Sequence, residues 1–128
     1  MSVELTMLLY SALLTLLLPV VQATGALRVV PFSQLTGNRE HFPELPGWVG
    51  RANRAHRNML ENLAPFAAIV LVAQFANVHN TITVLGAEIF FIARLVHAVV
   101  YLAGIPMIRT FAFLAGWVGT VMIASQLF

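Results

Sequence analysis

The chain has 128 residues, 59% of them apolar and only 9% charged, with a mean hydropathy of +0.85; this composition excludes an ordinary soluble domain and indicates an integral membrane protein. Its net charge of +2 and pI near 9.9 rest on seven arginines, with no lysine and no aspartate, so there is no basic tract to hold nucleic acid. The lack of cysteine excludes a disulfide framework, a thiolate-ligated metal and a cysteine nucleophile, so any thiol chemistry must arrive with a substrate.

The expected fold class is all-α, an integral membrane four-helix bundle forming one domain over residues 1–128. Spans of about 20 apolar residues allow four crossings once loops are subtracted, and the long unalternating runs exclude a transmembrane barrel. The first span is expected from Val3 to Leu27, uncharged between Glu4 and its end, with Pro19 bending it. The flank before it carries Glu4 and no positive residue, so the segment reads as a retained span rather than a signal peptide. Residues 31–50, PFSQLTGNREHFPELPGWVG, hold three prolines and three glycines and form the longest aqueous connection.

The second helix begins between Pro46 and Arg51 and continues to about Asn77. Its first turns are polar and only Leu63 to Val78 is apolar; Pro65, four residues after Glu61, frees that carbonyl and is expected to kink the helix. Asn77, His79, Asn80 and Thr81 make a short turn, with Thr81 the expected N-cap, and His79 and His41 read as ordinary turn and loop residues. The third helix runs from about Ile82 to Leu102. Gly104 and Pro106 mark a tight turn, and the last span covers Met107 to Phe128, where Ala112, Gly116, Thr120 and Ala124 recur every fourth residue as a ridge for close packing.

Sidedness follows from the arginines. Arg28, Arg39, Arg51, Arg54, Arg57 and Arg109 all lie near the face shared by the 31–50 loop and the 103–108 turn, whereas both termini and the 77–81 turn lack arginine. The positive-inside rule then places the arginine-rich face in the cytoplasm and both termini away from it.

Two polar stripes interrupt the apolar helices. At about 100° per residue, Arg54, Arg57, Asn58 and Glu61 fall in one arc of the second helix, and Arg94, His97 and Tyr101 form one stripe on the third. Neither faces lipid, because a charge facing hydrocarbon costs at least ~2.5 kcal/mol. Arg94 lies too deep for easy escape to water; an ion pair with Glu61 would answer its charge, and such a pair can also wall a ligand site. His56 points into the site or to the interface. Five cytoplasmic-side arginines, Arg28, Arg54, Arg57, Arg94 and Arg109, stand against one carboxylate, Glu61. That excess suits a ligand with more than one negative charge, and Glu61 suits a ligand ammonium. No metal motif is present: no HExxH, carboxylate pair or His pair at ligand spacing.

Two blocks, RANRAHRNMLENLAPF (residues 51–66) and RLVHAVVYLAGIPMIRT (residues 94–110), resemble the signature segments of the membrane-associated proteins in eicosanoid and glutathione metabolism. Length, four-span layout and the long first loop agree with it. The resemblance implies a homotrimer that binds glutathione between subunits near the cytoplasmic side, with a lipophilic second substrate drawn from membrane lipid surroundings. It implies that Arg28, Arg54, Arg57, Asn58 and Glu61 hold the peptide and charged ends of glutathione. It makes Arg94, His97 and Tyr101 the wall on the third helix, with His97 where some branches carry tyrosine. Arg109 matches the arginine that stabilises the thiolate, and Thr110 stands where some relatives have a hydroxyl. An arginine at a helix N-terminus lowers a thiol's pKa from ~8.5 toward neutrality. The expected activity is therefore a glutathione-dependent transferase or peroxidase acting on small lipophilic electrophiles, with glutathione as co-substrate and no metal. The alternative is a non-catalytic binding or scaffold protein of the same fold.

Overall fold

The computed structural model describes residues 1–128 and is all-helical: α1 Val3–Val29, α2 Phe32–Thr36, α3 Gly47–Phe75, α4 Thr81–Ala103 and α5 Pro106–Ala124. Four of these, all but α2, are long and apolar enough to cross a membrane. The surface confirms the solvent: Leu13, Leu16, Leu17, Val72, Ile92, Val99, Phe111 and Trp117 all point outward, an arrangement that water would penalise and lipid does not.

Helix ends follow local chemistry. The α4 N-cap is Asn80 rather than the expected Thr81, because Asn80 Oδ1 accepts from the backbone N–H groups of Ile82 (2.8 Å) and Thr83 (3.0 Å) while the Asn80 N–H donates back to Thr83 Oγ1 at 3.0 Å. That reciprocal box needs a side-chain acceptor three residues ahead of a hydroxyl, which Thr81 lacks. At the other end Gly104 takes φ 80°, its N–H donating to the Tyr101 carbonyl at 3.1 Å, a left-handed closure that glycine permits without strain. Pro106 opens α5 at a position where no backbone donor is missed. Pro19 and Pro65 both lie inside unbroken helices. Within the long connection, Phe32–Thr36 forms the short helix α2, which the proline- and glycine-rich sequence did not signal.

α4 and α5 form the tightest pair. A Cβ on Gly119 would lie 2.5 Å from the Gly86 carbonyl oxygen and 2.9 Å from the Phe90 nitrogen, so glycine at 119 lets the two backbones touch. The buried line along α5 is Ala112, Gly116, Gly119 and Ile123. The expected ridge therefore holds only in its first half: Thr120 and Ala124 are half-buried, because an every-fourth pattern drifts about 40° per step and only alternating steps of four and three stay on one face. α3 joins through Phe66, whose ring stacks on Phe90 with centroids 3.7 Å apart and planes 6° from parallel. Leu18, Met59, Val70, Ala73, Ala87, Ala98 and Ile123 complete the core.

One end of the bundle is closed by polar side chains. Glu4, only 3% exposed, accepts a 2.6 Å hydrogen bond from Thr83 Oγ1, and His79 Nδ1 lies 3.5 Å from the same carboxylate oxygen. Ser2 Oγ meets Gln74 Oε1 at 3.2 Å, and Asn80 Nδ2 donates to Gln126 Oε1 at 3.0 Å. All four long helices are thus tied at this end, and His79 belongs to that tie rather than to an ordinary turn.

Candidate functional site

The opposite end places the arginines. On α3, Arg54, Arg57 and Glu61 are exposed while Asn58 turns inward, because Asn58 lies at the edge of the stripe facing α4. On α4, Arg94 and His97 are buried, 1% and 4% exposed, and Tyr101 is half-buried. Arg109 sits in the first turn of α5, half-buried, with its guanidinium carbon 4.7 Å from the centre of the Tyr101 ring, a cation–π contact.

Arg94 makes no ion pair with Glu61. Its Nη1 donates to Asn58 Oδ1 at 3.0 Å and its Nη2 to the Phe113 carbonyl at 2.9 Å, and its guanidinium lies 5.5 and 5.4 Å from the centres of the Phe90 and Phe113 rings. The physical reason is rotation: Glu61 faces outward from α3 while Asn58 faces α4, so the amide, not the carboxylate, meets the cation. The one carboxylate of the chain that meets a basic side chain is Glu4, with His79 Nδ1 3.5 Å away at the far end. The buried cation is therefore answered by neutral oxygens only, and its Nε has no hydrogen-bond partner.

Asn58, His97, Tyr101, Arg109, Thr110 and Phe113 line a cavity of about 210 Å³. Arg94 lies beneath this floor and acts on it through Asn58. His97 and Tyr101 pack edge to face, ring centroids 5.3 Å apart, and Thr110 Oγ1 donates to the Pro106 carbonyl at 3.2 Å, leaving its lone pairs to accept. No carboxylate lines the cavity. Its charge is Arg109, reinforced by the positive end of α5, where the first N–H groups lack partners within the helix. Such a cavity can hold and stabilise an anion.

Within one chain, then, the structure brings together Asn58, Arg94, His97, Tyr101, Arg109 and Thr110, and leaves Arg28, Arg54, Arg57 and Glu61 outside that group. Arg54 lines a separate cavity with Gln22, Arg39, Glu44 and Asn53, His56 lines an adjoining one against Pro19, Phe32 and Leu35, and Arg28 is exposed near the end of α1. Three residues of the site were not singled out in the sequence. Phe113 gives a ring and a carbonyl to Arg94; its position one turn beyond Arg109 is a signal that could have found it. Phe90 supplies the second ring. Arg51 reaches from α3 to bond the Leu102 carbonyl with its Nε at 3.0 Å, closing the C-terminus of α4 beside the cavity.

Comparison with known proteins adds what geometry alone does not. The model of the MAPEG family matches residues 3–128. Among curated relatives, the microsomal glutathione S-transferase 1 of Bos taurus is 35% identical over 80 residues, 62% of this chain and 52% of the relative. That of Mus musculus is 33% identical over 91 residues, 70% of this chain and 59% of the relative, and that of Homo sapiens 34% over 80 residues, 62% and 52%. The matched region spans little more than half the length of these relatives.

Proposed function

The chain belongs to the MAPEG family as an integral, multi-pass membrane protein, and from that premise we propose that it is a glutathione-dependent transferase or peroxidase acting on small lipophilic electrophiles. Its relatives are glutathione S-transferases by name, and the cavity has the chemistry that a thiolate requires. The observation that carries the reading is Arg109: a guanidinium in the first turn of α5, braced on the Tyr101 ring, at the edge of a cavity with no carboxylate.

In this reading the thiol of glutathione enters the cavity beside Arg109. Arginine stays protonated at any physiological pH, so it stabilises the thiolate without competing for the proton, and the N-terminal end of α5 adds to it. In the transferase reaction the thiolate sulfur attacks an electrophilic carbon and a C–S bond forms; with a halogenated aromatic the halide departs with the bonding pair, and with an enal the C=C pair shifts toward the carbonyl and the adduct takes a proton from water. Asn58 donates to the peptide, Tyr101 and His97 wall the site, and Thr110 lines the cavity beside Arg109 with its hydroxyl proton held by the Pro106 carbonyl. The second substrate reaches the sulfur sideways from the bilayer, which the outward apolar faces of α4 and α5 permit.

Arg28, Arg54, Arg57 and Glu61 have a place in this proposal through a second copy. Exposed in the single chain, they sit toward the polar end of helices that cross the bilayer, where a charge left against lipid has no partner. A homotrimer covers them, puts their charges against the glutathione carboxylates and ammonium, and completes the site between subunits. The arginine distribution supports a cytoplasmic position for this end and both termini on the other side. We take residues 1–128 as one domain.

The test is binding and turnover together. Full-length protein purified in detergent is expected to bind glutathione and to conjugate it to members of a panel of hydrophobic halogenated aromatics and enals, or to reduce lipid hydroperoxides. Binding without turnover on any of them favours the scaffold alternative.

A further inference from the structure

Two glycines on α5 lie three residues apart and do different work. A methyl on Gly119 would meet backbone of α4, at the Gly86 oxygen and the Phe90 nitrogen; that glycine serves helix packing. A methyl on Gly116 would have as its three nearest neighbours only atoms of one side chain: Arg94 Nη2 at 2.6 Å, Nε at 2.7 Å and Cζ at 3.1 Å. All three belong to the far end of one flexible side chain, so the methyl is accommodated by moving that end and not by moving backbone. The guanidinium as a whole would have to lift by about 1 Å to reach ordinary van der Waals separation.

The direction of that lift is fixed by the site. Arg94 is held by two hydrogen bonds, to Asn58 Oδ1 and to the Phe113 carbonyl, between the rings of Phe90 and Phe113. Asn58 and Phe113 are both walls of the cavity. A guanidinium has donors only, so the Asn58 atom that faces Arg94 is its oxygen, and Asn62 Nδ2 approaches the same oxygen at 3.5 Å. The Asn58 amide nitrogen is thereby left without a partner in the chain, on a residue that lines the cavity.

We infer that Gly116 is a positioning residue of the candidate glutathione site: its missing Cβ seats the Arg94 guanidinium, and the seated guanidinium turns the Asn58 amide so that its N–H₂ is offered to the ligand. The inference rests on the functional reading above and specifies its polarity: Asn58 reads an acceptor on the bound tripeptide, a carbonyl or carboxylate oxygen or the thiolate sulfur. It also assigns Gly116, which the sequence presents as part of a packing ridge, to ligand binding.

The experiment measures glutathione affinity by calorimetry on the detergent-purified full chain for the native sequence, Gly116→Ala, Arg94→Met and the double variant. Gly116→Ala is expected to weaken binding about tenfold, the equivalent of one misplaced hydrogen bond. Added to Arg94→Met it is expected to weaken binding no further, because a methionine has no plane to displace and no bond to Asn58. Native-like affinity in Gly116→Ala, or effects that add in the double variant, overturns the inference. If Gly116→Ala alone does not survive purification, the two variants carrying Arg94→Met decide. Equal yield and melting temperature support a role through Arg94, whereas loss of the double variant alone shows that Gly116 serves helix packing. Native protein that binds no glutathione overturns the functional reading, and this inference with it.

Discussion

The two ends of the bundle treat charge in opposite ways. Where α1 begins and α3 turns into α4, the Glu4 carboxylate is met by the Thr83 hydroxyl and by His79, and neighbouring Ser2, Gln74, Asn80 and Gln126 pair among themselves. Where α4 turns into α5, Arg94 is met only by an amide and a carbonyl, Arg109 only by the face of a ring, and Arg57 and Glu61 by nothing within the chain. A membrane protein exacts a cost for every unpaired polar group, since lipid offers no partner. The first end has met that cost internally and is a structural tie. The second leaves it unmet within the chain, and the proposed function assigns that role to a ligand and a second copy. Polarity marks both ends; the state of its pairing separates structure from function.

The largest expected effect breaks the open end. Arg109→Ala removes its charge, and kcat/KM for glutathione conjugation is expected to fall about 100- to 1000-fold, the range seen when one electrostatic stabiliser is deleted. Because Arg109 is half-exposed and has no hydrogen-bonded partner side chain, the melting temperature of the same variant is expected to stay near native. A large loss of thermal stability would place Arg109 with the structural residues.

At the closed end the pattern should reverse. Glu4→Ala removes the carboxylate that meets both Thr83 and His79, leaving the Thr83 hydroxyl the Asn80 carbonyl at 2.8 Å as its acceptor, and is expected to cost about 1 kcal/mol of stability while leaving glutathione affinity unchanged. Thermal unfolding in detergent and a binding isotherm on one preparation measure both. Glu4→Gln keeps an acceptor for Thr83 and should cost less. A Glu4→Ala protein of native stability, or one that binds glutathione several-fold more weakly, would erase the distinction between the ends. Asn80→Ala removes the α4 cap and should cost about 1 kcal/mol, again visible in the melt and not in binding.

The smallest effect expected is at Thr110. Its hydroxyl is committed as a donor to the Pro106 carbonyl one turn back, and the residue is exposed, so Thr110→Val should change turnover by only about twofold, as for surface positions without a special partner. A loss of a hundredfold would show instead that the hydroxyl leaves its own helix to serve the thiolate.

The four spans and the Gly104–Pro106 turn were legible in the sequence because hydropathy and turn chemistry are local. So were the two stripes, since angular position on a helix follows from residue number. What the stripes did not contain was the rotation of one helix against another, which decides whether Glu61 or Asn58 meets Arg94. The tie between Glu4 and Thr83, 79 residues apart, was invisible for the same reason: Glu4 reads as the edge of a span and Thr83 as an ordinary first-turn residue. Helix α2 hid in a stretch whose prolines and glycines argue for a loop, and Asn80 took the cap from Thr81 through a bond to Thr83 that only the folded turn displays. Gly116 was visible as a small residue, but the occupant of the space it leaves was not.

The central claim, that the open end exists to stabilise a thiolate at Arg109, is tested most directly by the near-ultraviolet absorbance of glutathione bound to the purified protein across a pH series. The account predicts a thiolate band at neutral pH, well below the ~8.5 at which a free thiol ionises, and its loss in Arg109→Ala. A bound glutathione whose thiol ionises no earlier than in water, or a band that survives in Arg109→Ala, would contradict it.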